Sequence, residues 1–321
     1  MHPGERPFSF VARVAAIVVT VVAVTACGGA GVSPSGPSAA SSGGPAAASV
    51  TGADAPFIPQ LISSETIVGA NRFLFGIEDA AGQKSIGAPA IQVQVGFQSD
   101  DGQTTIPASP ATFIWAIPDE RGIYSVDATF PSAGSWKAAF RAAGASWPAD
   151  ATVSVGFDVQ AKGHAIPIGG NAPSTPTPTA ATPADIARIA TDPTPDPSFY
   201  ATSEDQALAN HQPFVLVFAT PKFCVSKQCG PTLDGIKAVA KTEAPGVVFI
   251  NAEPYKLEYV NGSLQPLLDG SGQLQATVVT NAWGILSEPW VFVVDGNGIV
   301  KASFEAVVGA DELKAAIAAA R

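Results

Sequence analysis

Three cysteines, one methionine and three histidines are all that 321 residues contain. So small a supply limits the options, and a blue-copper centre, a histidine-built zinc hydrolase or a methionine-rich copper relay is not expected. Charge is scarce as well: charged residues make up 14%, against roughly 25% in an average soluble domain. No Lys/Arg cluster occurs and the net charge is −10, so the basic patch of a nucleic-acid binder is missing. This composition excludes a coiled coil and a long disordered acidic chain. What is plentiful is hydrophobic residues at 46%, with 31 Gly and 28 Pro, a mix that suits β-rich domains joined by flexible linkers. At about 150 residues per domain, the length suggests two.

The N-terminus reads as a targeting segment. Arg6 and Arg13 precede an apolar run from Val14 to Ala26, short of the ~18–20 residues of a membrane-spanning helix but right for the core of a signal peptide. Val24-Thr25-Ala26-Cys27, followed by Gly28-Gly29, resembles the bacterial lipobox. That resemblance implies a lipoprotein signal peptide over residues 1–26, lipidation of Cys27, and a protein held at the cell membrane on its extracytoplasmic side. There disulfides persist, and each buried acyl CH₂ contributes about 0.8 kcal/mol of anchoring. The alternative is a secretory signal whose cleavage falls near a cysteine by coincidence.

Residues 27–54 are mostly Gly, Ser, Ala and Pro and read as a disordered tether. A second biased stretch includes Ser174-Thr175-Pro176-Thr177-Pro178-Thr179, where alternating Pro favours an extended, semi-stiff spacer open to O-linked sugars. The expected organisation is a β domain over 55–162, a Pro/Thr-rich linker over 163–195 with a short helix near Asp185–Ile189, and a second domain over 196–321.

The β domain shows period-two alternation. Ile91, Val93, Val95 and Phe97 alternate with Gln92, Gln94 and Gly96, and runs near Tyr124–Phe130 and Val153–Val159 repeat the pattern. Such runs mark strands with one buried and one wet face. Asp119-Glu120-Arg121-Gly122-Ile123-Tyr124 resembles the tyrosine corner of immunoglobulin-like sandwiches, in which the Tyr hydroxyl bonds to backbone a few residues upstream. The expected fold is an all-β immunoglobulin-like sandwich serving as a binding or spacer module. Trp115, Trp136 and Trp147 are read as core or edge packing.

The last third alternates differently. A capping box at Ser203–Gln206 opens a short helix. Pro213–Thr220 and Gly246–Asn251 are continuous apolar runs suited to buried strands. Pro231–Lys241 has a helical apolar face, an irregular stretch follows, and Pro289–Val294 with Ile299–Val308 flank the turn Asp295-Gly296-Asn297-Gly298. Asp311-Glu312 opens a final helix. This order, with Phe218-Ala219-Thr220-Pro221-Lys222-Phe223-Cys224, then Cys229-Gly230-Pro231, then Glu288-Pro289-Trp290, resembles the α/β thioredoxin superfamily. The resemblance implies that Cys224 is the nucleophile ahead of a helix, Cys229 the resolving thiol, and Pro289 a cis-proline facing them. The expected partners are exported proteins bearing thiols or disulfides; no metal or other cofactor is implied.

A thiolate at a helix N-terminus is stabilised by the dipole and free N–H groups. However, four residues separate the two cysteines where the family has two. A regular helix would carry them about 7.5 Å apart along its axis, beyond the ~4.4–6.8 Å that a disulfide tolerates, so pairing demands a loop. Phe223 replaces the usual Trp, and Val217 stands near the place of a buried acid. Lys227 is the nearby cation. Glu253, Glu258 and Asp269 show no paired spacing, and His164 and His211 read as surface residues. A structural Cys224–Cys229 disulfide in a binding or assembly module is the alternative function.

Overall fold

The computed structural model describes residues 55–143, 152–242 and 246–321. The signal peptide, Cys27, the tether and Trp147 lie outside the described residues.

The alternating runs form eight strands: β1 (Phe57–Leu61), β2 (Gly69–Asp79), β3 (Gln92–Ser99), β4 (Thr105–Pro110), β5 (Thr112–Ile117), β6 (Arg121–Phe130), β7 (Gly134–Ala143) and β8 (Thr152–Val159). They pair antiparallel in two four-stranded sheets, ordered β1-β2-β6-β5 and β4-β3-β7-β8. Inward residues of both sheets meet in one core, where the Phe130 ring packs edge-on against Phe97, Trp136 and Phe157. Period-two burial holds in β3, where Val93, Val95 and Phe97 are buried. The Tyr124 hydroxyl bonds farther upstream than a tyrosine corner would: it donates to Ala88 O or Ile91 O and accepts from Ala88 N, more than thirty residues back. It therefore pins the connection ahead of β3.

Beyond residue 180 the elements are α1 (Pro183–Ile186), a 3₁₀ turn (Pro197–Tyr200), α2 (Glu204–Ala209), β9 (Phe214–Phe218), α3 (Cys229–Thr242), β10 (Val248–Ala252), the hairpin β11 (Leu257–Val260) and β12 (Ser263–Pro266), α4 (Val278–Trp283), β13 (Trp290–Val294), β14 (Val300–Glu305) and α5 (Ala310–Ala320). The four-stranded sheet runs β10-β9-β13-β14, with β9 and β10 parallel and the rest antiparallel. The central strands β9 and β13 are apolar throughout because both faces are covered, while the edge strand β14 carries Lys301, Ser303 and Glu305. Val215, Val217, Val291 and Val293 pack under α3 and α5, while Phe214, Leu216, Phe218 and Phe292 meet α2 and α4. The stretch expected to be irregular holds the β11–β12 hairpin and α4. Strand β14 ends at Glu305, short of Val308, because Ala306 turns left-handed (φ 59°).

Residues 163–195 are not a spacer. Ile166 N–H donates to Trp283 O, and residues 169–172 run beside β14, with Gly169 and Ala172 donating to Val300 O and Gly298 O. Thr177 Oγ1 then accepts from Glu204 N. The Pro alternation has a geometric effect: Thr175 and Thr177 point inward and are buried, while Pro176, Pro178 and Thr179 face out. Burial removes Thr175 and Thr177 from glycosylation. The segment is a strap over the second sheet.

The sandwich and the helix-covered sheet share a wall. Leu74, Ile114, Ala116 and Ile123, on the outer face of the β1-β2-β6-β5 sheet, cluster with Ala306 and Val307. This is why β2 and β6 bury consecutive residues where alternation predicts a wet face. Arg72 grips Glu312 with Nε and Nη2, both at 3.0 Å. Glu305 accepts from Ser64 N through both oxygens, and Glu65 accepts from the backbone of His164 and Ala165.

Candidate functional site

Strand β9 ends at Phe218 and the chain turns at Thr220, whose carbonyl accepts from Phe223 N and Cys224 N. Lys227 adopts a left-handed conformation (φ 60°), and the loop re-enters α3 at Cys229, two residues before the helix start expected at Pro231. This detour brings the Cα atoms of Cys224 and Cys229 to 6.1 Å and the sulfurs to disulfide distance. Cys229 N–H, in the first turn of α3, donates to Cys224 Sγ at 3.3 Å, and Ser226 Oγ lies 3.2 Å from the same sulfur. Cys224 is 8% exposed and Cys229 fully buried, yet the intervening Val225 is 90% exposed. The loop tip is thus the accessible part. From the sandwich, Arg121 donates to Ser226 O at 3.4 Å.

The Glu288–Pro289 peptide bond is cis and leads directly into β13. No sequence pattern assigns Glu288 a role. A carboxylate oxygen of Glu288 and both sulfurs all lie within 4.8 Å of one another. Tyr255 donates its hydroxyl to Glu288. Burial pushes the Glu288 carboxyl above its ordinary value, and the Tyr255 hydrogen bond pulls part of that back; burial and then Glu288 raise Tyr255 in turn. The only sequence signal for this acid was its place immediately before the proline. Paired sulfurs are not thiolates, which are the form that ligates metals, so the trio is not a metal-binding set in this state.

A second acid lies below the loop. Glu253, just past β10, accepts from Thr191 N, with Thr220 close by. Burial moves its pKa from 4.5 to about 7. Spacing alone hid Glu253, because its partners come from the strap and the Cys loop. Lys227 is exposed. His164 sits on Glu65 and His211 on Gly296 O, both apart from the sulfurs. Trp290 is buried with its indole donating to Ser303 Oγ, on the sheet face opposite the cysteines, so it borders no groove at the disulfide. A cleft of about 440 Å³ lies on the Tyr255 side, lined in part by Pro176, Pro178, Ile189, Leu257 and Val279.

No protein-family model matches the chain, and no curated protein matches it. Among solved structures it is similar to the crystal structure of the Lin-41 filamin domain, at 21% identity and a TM-score of 0.18, covering 36% of this chain and 97% of that one. Among the described residues no helix is long and apolar enough to cross a membrane.

Proposed function

We propose that this protein is a membrane-anchored, extracytoplasmic thiol–disulfide exchange protein with a thioredoxin-like second domain. One observation carries the reading: a cysteine pair sits at the mouth of α3, with the Cys229 N–H aimed at Cys224 Sγ. A thiolate formed at Cys224 would gain from that N–H and from the helix dipole, which together lower its pKa and make it the better nucleophile and leaving group. The strand order of the second sheet, with β9 and β10 parallel, supports the assignment. In this reading Cys224 exchanges with thiols or disulfides of exported proteins, Cys229 resolves the mixed disulfide, and lipidated Cys27 keeps the protein at the membrane. The test is Cys229→Ser, which is expected to accumulate a covalent adduct through Cys224 with a disulfide-bearing peptide. No adduct under native conditions would sink the nucleophile role.

Burial of both sulfurs favours a second reading, a structural disulfide in a binding or assembly lipoprotein. The reduction potential separates the two. A value below about −300 mV marks a static bond, and a more oxidising one marks exchange.

A further inference from the structure

Resting on the exchange reading, we infer that the Glu288 carboxyl is the acid–base group of the sulfur pair, giving Cys229 its proton and regaining one from the client's second thiol. Three observations from different parts of the chain converge. The carboxyl lies within 4.8 Å of both sulfurs, a separation that one water or a small shift bridges. Strand β13, which begins two residues later and pairs with both β9 and β14, anchors the backbone that carries it. Tyr255, from the segment after β10, orients it by hydrogen bond.

The titratable groups that face the carboxyl are the Tyr255 phenol and the two cysteines. Glu305, the other buried acid nearby on β14, is turned to Ser64 and Ser287 instead. Burial holds Glu288 toward its protonated form, which suits a donor in the oxidised protein.

The step balances as follows. A client thiolate attacks Cys224 Sγ and forms the mixed disulfide. The Cys224–Cys229 bond breaks, its electron pair stays on Cys229 Sγ, and Glu288 gives that sulfur a proton and becomes a carboxylate. The client's second thiol then loses its proton to the Glu288 carboxylate and attacks its own mixed-disulfide sulfur. Cys224 leaves as a thiolate and takes up a solvent proton. The client dithiol is oxidised to a disulfide, and the protein's disulfide is reduced to two thiols.

The experiment uses the full chain, oxidised, with dithiothreitol as the client. The rate of disulfide reduction is read by alkylation and intact mass from pH 5 to 9 and divided by the dithiothreitol thiolate concentration. The wild-type corrected rate is expected to fall through one inflection as Glu288 ionises. Glu288→Gln should lose that inflection and react about tenfold or more slowly on the acid side, and Glu288→Asp should restore part of both. Tyr255→Phe keeps the carboxyl but removes a hydrogen bond that favours its ionised form, so the inflection should move to higher pH. Fast wild-type exchange with an unchanged profile in Glu288→Gln would overturn the carboxyl's role and leave the exchange reading intact. A wild-type disulfide that reacts only when denatured would remove both. Should Glu288→Gln fail to fold, an inflection unmoved by Tyr255→Phe overturns the inference.

Discussion

Buried acids are the least expected residues of this chain, and Glu204 is the most exposed to test. It opens α2 yet is fully buried, and burial moves its pKa from 4.5 to about 8. Trp283 and Thr175 beside it offset part of the rise but do not meet its oxygens in hydrogen-bond geometry. Between those two values the folded chain binds a proton that the unfolded chain has released, so stability falls as pH rises from about 4.5 to 8. Glu204→Gln should remove that slope. At pH 8 the variant should be the more stable, by on the order of a few kcal/mol; urea titrations at pH 5 and pH 8 check it. Lys237 shows the opposite solution to burial, with Asp192, Asp234 and the Thr194 carbonyl all in contact with its ammonium.

Among elements, the strap turns on one glycine. Gly284 ends α4 in a left-handed conformation (φ 67°), and a Cβ there would meet His164 O at 1.9 Å. Gly284→Ala should cost about 2–4 kcal/mol and loosen residues 163–172, which limited proteolysis would detect. The sequence made most strands legible, because alternation and apolar runs depend only on the faces a strand buries. Helix α2 and the Asp295–Gly298 turn were legible from capping and turn chemistry. The strap was not: Pro and Thr have the same local preference in a free spacer as in a segment docked through Thr177 Oγ1 and the β14 backbone. The Cys loop was legible as a need, since a regular helix could not bridge five residues, but its left-handed Lys227 was not. Glu288 and Glu253 escaped because their neighbours come from segments distant in sequence.

At the scale of the whole molecule, the shared wall joins the sandwich to the helix-covered sheet. Arg72 is the polar centre of that contact: its guanidinium grips Glu312 and lies over the Phe304 ring. Arg72→Ala should weaken the wall by about 1–2 kcal/mol, allowing for charge-assisted hydrogen bonds lost and a buried Nη1 that has no partner. Hydrogen exchange at Leu74, Ile123 and Val307 should speed by about tenfold, with the inner sandwich core unchanged. Uniform acceleration across the sandwich would instead mean that the ion pair stabilises that domain alone.

The shared wall and the docked strap also govern how encounters happen. Both are packed between the two halves, and the cysteine loop lies against the sandwich through the Arg121–Ser226 contact. In the exchange reading, a client would meet that loop at a fixed address, one side of whose doorway is the Arg121 turn of the sandwich, which contributes no sulfur. Whatever speed the chemistry reaches, the visitor's diffusion and shape would then decide how often it begins.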